Sequence, residues 1–375
     1  MITLRVIVDD MLDSAPRGPA RNAEELTRAL IQTAPPGASV EGVVAASTEA
    51  EYASIQERLP GLAGLYKNAL ARRELTLAWQ HGFTRLPGGG MIHSPSLFAP
   101  LARHDRLNDV GEQTVVTISD AFAWTHPDSM PSRKAAWTIA MAKRAHRHAD
   151  AVVVPTHATA DRLAEFIDFG DRIRIIGGAP STLLALPEDQ DARAAALDLP
   201  ERYLLAFGGL EPRRGNRQLI RALAHLDGVP LLLVGPTSAD DLAAAATEAG
   251  VDASRVRGLD GVGNTDLAVV IARATALVIP TLEEGFSLPM VEAFRLGTPV
   301  VHTDAPALLE VSGDSGVVVE LGEPEGFPTR LADGIRSVLD DEALAGRLAV
   351  YGEDRSRVFS WRGSAEKVWQ LHADL

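Results

Sequence analysis

The chain has 375 residues, 46% of them apolar, no cysteine and a formal net charge of −14. That length suits two or three domains with sizeable cores, and the absence of cysteine excludes disulfides, thiolate nucleophiles and cysteine–zinc sites and fits a reducing cytosol. The acidic balance argues against nucleic acid as the main partner.

The start, MITLRVIVDD, lacks a basic n-region and an apolar h-region, so no secretory signal is expected. No run of about 18 apolar residues follows, so no membrane span is expected either. In chain order, buried strands are expected at 4–8, 114–118, 151–155, 203–207, 230–234, 276–280 and 299–303. Helical patterns fall between them at 24–32, 132–149, 158–166, 217–225, 240–249, 267–273 and 289–296. Continuous apolar strands alternating with helices predict parallel sheets covered on both faces, the doubly wound α/β class. The series runs twice, with a break near Gly177, Gly178, Pro180 and Pro187. Two Rossmann-like domains of similar size are therefore expected, with a hinge over 177–187.

Ligands bind such sheets at the carboxyl ends of strands. After 203–207 comes GGLEPRRGN, where Gly208 and Gly209 permit close backbone approach and Arg213 and Arg214 precede a helix. This is either an anion site fit for a pyrophosphate or a solvated loop with two surface arginines. After 276–280 comes EEGFSLPMVE, with Glu284 and Glu292 bracketing a turn and Pro289 suited to a first helical turn. The amides of 285–288 can receive phosphate or sugar oxygens, and the carboxylates can accept from a vicinal diol. The alternative for Glu292 is a first-turn acid that complements the helix dipole. Ser119, Asp120 and His126 follow 114–118, and His93 closes another apolar stretch. A lone histidine at a strand end reads first as structural. Gly18 and Arg21 stand in an early loop, 14–22, as a further candidate anion contact. HExxH, P-loop, GxSxG and metal-ligand patterns are all missing.

FGGLEPRRGNRQLIRAL, LLLVG and ATALVIPTLEEGFSLPMVEAFRLGTPVV resemble the C-terminal half of family-four retaining glycosyltransferases of the GT-B fold. The motif E-G-F-G-L-P-x-x-E departs here only at Ser287. VVTISDAFAWTHPD and ADAVVVPTHATADRL resemble segments of that family's N-terminal half, and the final tryptophan-containing helix resembles the one that crosses back to it. The resemblance implies two Rossmann-like domains facing a central cleft. The acceptor domain would be 1–180 with helix 361–375, and the donor domain 181–360. It implies transfer of a hexose, with GDP-mannose first and UDP-sugars or dTDP-rhamnose next, from a nucleotide-diphospho-sugar to a glycan or lipid-linked acceptor. Neither metal nor other cofactor is implied.

In this reading Glu284 contacts the donor sugar and Glu292 the ribose, while the amides of Gly285, Phe286, Ser287 and Leu288 hold sugar and phosphate oxygens. Arg214 stands for the family's lysine beside the diphosphate, with Arg213 and the Gly208–Gly209 turn alongside. Gly235 borders the loops that select the base, and Gly18 approaches the phosphate from the other domain. Asp120 is the expected acid, but Ser119 replaces the family's histidine, which leaves a catalytically weak or silent nucleotide-sugar binder as the alternative. Residues 129–149 hold no acid but do hold Arg133, Lys134, Lys143, Arg144 and Arg147. This helix is either a solvated face or a contact with an anionic acceptor or lipid surface. The expected location is the cytoplasm, with peripheral contact at the inner face of the membrane.

Overall fold

The structure, a computed structural model, describes residues 2–12, 18–86, 89–105 and 111–375. It divides into two units, Met1–Gly178 with Ser360–Leu375, and Ala179–Phe359.

The first unit contains β1 (Ile2–Ile7), β2 (Ala38–Ala46), β3 (Gly64–Ala71), β4 (Met91–Ser94), β5 (Thr114–Thr117), β6 (Ala151–Val154) and β7 (Ile173–Ile175). They form one sheet in the order β3-β2-β1-β4-β5-β6-β7. The second unit contains β8 (Leu204–Phe207), β9 (Leu231–Val234), β10 (Val256–Leu259), β11 (Ala276–Ile279), β12 (Val300–Thr303) and β13 (Val317–Val319), in the order β10-β9-β8-β11-β12-β13. Every strand pairing in both sheets is parallel. These are the two doubly wound Rossmann-like units expected from the sequence.

The strand residues explain why both faces are covered. Side chains alternate across a strand. Leu204, Ala206, Leu231, Leu233 and Val278 lie in one core cluster. Their neighbours Leu205, Leu232, Leu277 and Ile279 lie in a second. Helices bury each face, and each fully buried leucine contributes on the order of 2 kcal/mol.

The seven apolar runs are all strands, but β2, β3, β4, β7, β10 and β13 were not anticipated. Most are short or lie toward a sheet edge, and β3 alternates between exposed and half-buried residues instead of being apolar throughout. A test for continuous apolar runs passes over such strands. The helix expected at 24–32 begins six residues earlier and spans Gly18–Gln32. Gly18 and Arg21 are therefore in its first turn rather than in a loop, while 14–17 of that expected loop lie outside the described residues.

The chain returns to the first unit at Ser360, whose hydroxyl caps the helix Trp361–Asp374 by accepting from the Gly363 amide. Trp369 Nε1 donates to the Leu30 carbonyl at 3.2 Å, and Ser364 donates to the Gly177 carbonyl at 2.7 Å. No helix among the described residues is long and apolar enough to cross a membrane.

Candidate active site

In the second unit, β9 and β10 lie on one side of β8, and β11, β12 and β13 on the other. The loops leaving β8 and β11 therefore diverge at the point where strand order reverses, the usual crevice for a ligand in this class.

These loops interlock. The Leu282 amide donates to the Arg213 carbonyl at 2.9 Å. Gly215 has φ +68°, and a β-carbon there would overlap the Pro280 carbonyl oxygen, so only glycine lets the two strand-end loops touch. The loop after β9 joins them, since a β-carbon on Gly235 would meet the Gly208 backbone at 3.2 Å. Asn216, fully buried, donates to the carbonyls of Phe207 at 3.2 Å and Gly209 at 2.8 Å and so holds the glycine turn. Its role was missed in the sequence. The only signal was an asparagine opening a helix after a glycine.

Arg214 and Glu284, seventy positions apart, meet here. Nη1 of Arg214 donates to Oε2 of Glu284 at 3.4 Å, and both side chains are partly exposed. The Gly285 amide donates to the other carboxylate oxygen at 3.3 Å. Both contacts are longer than the usual 2.7–3.2 Å range. The guanidinium can therefore exchange a long carboxylate contact for a shorter, forked one to a diphosphate. Such an exchange frees a carboxylate to accept from sugar hydroxyls.

Other expected residues fall as follows. Phe286 is buried and packs edge-on against Phe359 at 5.5 Å, leaving only its backbone for a ligand. Ser287 precedes the helix Leu288–Arg295, with Pro289 at its second position. Glu292 is the fifth helical residue and is 1% exposed. The first-turn dipole alternative for Glu292 is thereby corrected, because an acid one turn further in lies beyond most of that field.

Gly18, Ser119 and Asp120 belong to the first unit. Ser119 is exposed beyond β5. Asp120 Oδ1 accepts from the Phe122 amide at 3.1 Å and so shapes the turn into the short helix Phe122–Thr125. His93 is fully buried in β4, edge-on to His372 at 5.6 Å, and burial holds its pKa well below the usual histidine range. It is a core residue. The first unit also has a cavity of about 520 Å³ at the carboxyl ends of β1 and β2, lined by Asp9, Ser47, Thr48, Glu51 and Arg72 among others. Burial raises the Asp9 carboxyl to about 6, against the lowering effect of the Ala45 amide it accepts from. Among the described residues no group of three or more His, Asp or Glu is placed to hold a metal.

In the helix Ser132–His148, Arg133, Lys134, Lys143 and Arg147 are exposed. Arg144 departs from the expected basic face. It donates to the Leu101 carbonyl at 2.5 Å and packs on Gly82.

Residues 201–341 match the family model described as glycosyl transferases group 1, so this segment is a domain of that family. Among curated relatives, a D-inositol 3-phosphate glycosyltransferase of Nocardioides sp. is 29% identical over 60% of this chain and 53% of its own length. The O-antigen chain mannosyltransferase B of Escherichia coli is 28% identical over 72% and 71%. The chain thus spans about half of the first relative and seven tenths of the second. Among solved structures, HepE of Anabaena in complex with UDP-glucose aligns over 100% of both chains with a TM-score of 0.73 at 16% identity. That likeness shows the shared fold, the GT-B pair of Rossmann-like domains.

Proposed function

We propose that this protein is a glycosyltransferase that moves a hexose from a nucleotide-diphospho-sugar to a glycan or lipid-linked acceptor, with retention and without a metal. The observation that carries the reading is the Arg214–Glu284 pair at the strand-order reversal of a group 1 glycosyl transferase domain. Arg214 and the amides at the start of Leu288–Arg295 take the charge that grows on the departing diphosphate, the kind of electrostatic stabilisation that is usually the largest catalytic contribution. Glu284 orients the sugar, and the buried Glu292 accepts from the ribose hydroxyls. The departing phosphate serves as base for attack on the same face. The acceptor belongs to the first unit, whose cavity at the ends of β1 and β2 offers carboxylates and hydroxyls to a polyol. Mannose is the sugar we assign, on the support of the mannosyltransferase relative, with GDP as its carrier.

The test is release of nucleoside diphosphate from a panel of GDP-, UDP- and dTDP-sugars, with and without glycan and polyprenyl-linked acceptors. Turnover that is insensitive to EDTA, with the anomeric configuration kept in the product NMR spectrum, is expected. Donor binding without turnover across the panel, restored by Ser119→His, would instead establish the silent-binder alternative.

We further propose that the exposed basic residues of Ser132–His148 bring the protein to the anionic inner face of a membrane. Leu77 and Phe83, 56% and 79% exposed, lie on and just beyond the neighbouring helix Arg72–His81 and add apolar anchors.

A further inference from the structure

Ser287 takes up an unusual backbone conformation, and its side chain gains no hydrogen bond from it within the chain. Its φ and ψ are 69° and 77°, in the left-handed region. Among the described residues only Asp198 shares a positive φ without being glycine. The β-carbon makes this region costly for an L-residue, and glycine would adopt it freely.

Serine is a favoured residue at the position before a helix because its oxygen normally accepts from the second or third helical amide. Ser287 makes no such bond: Pro289, the second helical residue, has no N–H to give, and the Met290 amide donates to the Ser287 carbonyl at 3.1 Å. The residue is only 8% exposed, yet its hydroxyl has no partner in the chain and is not among the buried atoms cut off from solvent. A nearly buried donor is thus held open at the start of an eight-residue helix, beside Glu284 and Gly285. The alternatives to a ligand account for less. Glycine would relieve the strain, and the Met290 amide that a capping hydroxyl would take is already given to the Ser287 carbonyl.

We propose that the Ser287 hydroxyl is a direct ligand contact, donating to a phosphoryl oxygen of the nucleoside diphosphate held at this helix start. The contact rests on the donor reading above and adds to it a donor that a glycine at this position does not have. A hydroxyl facing an ionised phosphate makes a short, charge-assisted bond, and the helix start supplies further amides and a favourable dipole. The bond exists only in the complex, so the backbone strain is present in the free protein and offset on binding.

The experiment is calorimetric titration of the full chain with GDP and with UDP, comparing the unmodified protein with Ser287→Ala and Ser287→Gly. Both variants are expected to bind the preferred diphosphate roughly tenfold more weakly or worse, the usual scale for losing a hydrogen bond to a charged group. Ser287→Gly, freed of strain, is expected to melt about 2 °C higher than the unmodified protein. Binding within twofold in both variants would overturn the hydroxyl contact and leave the donor reading standing. Failure of the unmodified protein to bind either diphosphate would overturn the donor reading, and this contact with it.

Discussion

Arg214 has two possible anionic partners, and the free protein shows it with the weaker one. Its 3.4 Å contact to Glu284 is long and partly exposed, so little is lost when a diphosphate replaces it. Arg214→Ala is therefore expected to lower kcat/KM by about a hundredfold or more, because it removes a cation aimed at developing charge. Arg214→Lys should recover only part of that, since a point charge cannot fork across two phosphate oxygens. Steady-state kinetics on the preferred donor reads both. Gly215 presents a purely steric case. A side chain there meets both a forbidden φ and the Pro280 carbonyl. Gly215→Ala is expected to cost more than about 1 kcal/mol of stability and to splay the loops that carry Arg214 and Glu284. A lower denaturation midpoint together with weaker diphosphate binding is the expected pair of results. Improved stability would show that the loops do not need this approach. At this scale the sequence displayed the residues without their partners. Gly208, Arg214, Glu284 and Glu292 stand out in their motifs, but nothing along the chain announces that positions 214 and 284 touch.

Among the elements, the four edge strands β3, β7, β10 and β13 all escaped the search for continuous apolar runs, and so did the interior β2 and β4, whose runs are broken by Glu41 and Gly42 and by His93 and Ser94. A strand buried on both faces must be apolar throughout, as Leu231–Val234 is, whereas β3 at the sheet edge carries Lys67 and Asn68 and reads as a loop. The start of Gly18–Gln32 was misjudged because glycine and proline, usually turn residues, open this helix. The last helix carries a test of its own. His372 packs on His93, donates from Nδ1 to Oε1 of Gln113 at 3.2 Å, and lies near Asp150, which bonds His104. Burial pushes His372 down to about 4, only partly opposed by the Asp150 charge, and holds His93 low as well. In the unfolded chain both titrate near 6.5. The folded state therefore binds fewer protons, and the stability from burying neutral imidazoles is complete above about pH 6.5. It falls away as pH drops toward 4, by about 3 kcal/mol for His372 alone. Asp9 acts in the opposite sense, because its raised pKa makes the folded chain take up a proton as pH falls through about 6. The comparison that isolates the histidine is between the unmodified protein and His372→Gln. Urea midpoints at pH 7 and pH 5 should fall less on acidification in the variant, and equal falls would refute the effect.

For the whole molecule, charge decides how it meets a surface. A net charge of −14 repels an anionic bilayer, and yet one helix concentrates exposed cations. Lys143 and Arg147 are one helical turn apart and share a face, with Arg133 and Lys134 at the other end of the helix. Each basic group near an anionic bilayer contributes about 1 kcal/mol, so four supply about 4 kcal/mol at most. That sum acts within a Debye length, about 8 Å at physiological salt, so the remote acidic surface weakens it only at low ionic strength. Leu77 and Phe83 add attraction that salt does not screen. Sedimentation with phosphatidylserine-containing vesicles is expected to show binding at 0.1 M salt that declines by 0.5 M but does not vanish. Lys143→Glu with Arg147→Glu should abolish the salt-sensitive part, and Leu77→Ser with Phe83→Ser the residue left at high salt. Arg144→Glu is the wrong probe, because that guanidinium is committed to the Leu101 carbonyl and its loss would unsettle the helix itself. Equal binding by the Lys143/Arg147 variant and the unmodified protein would show that the basic helix is a solvated face and nothing more.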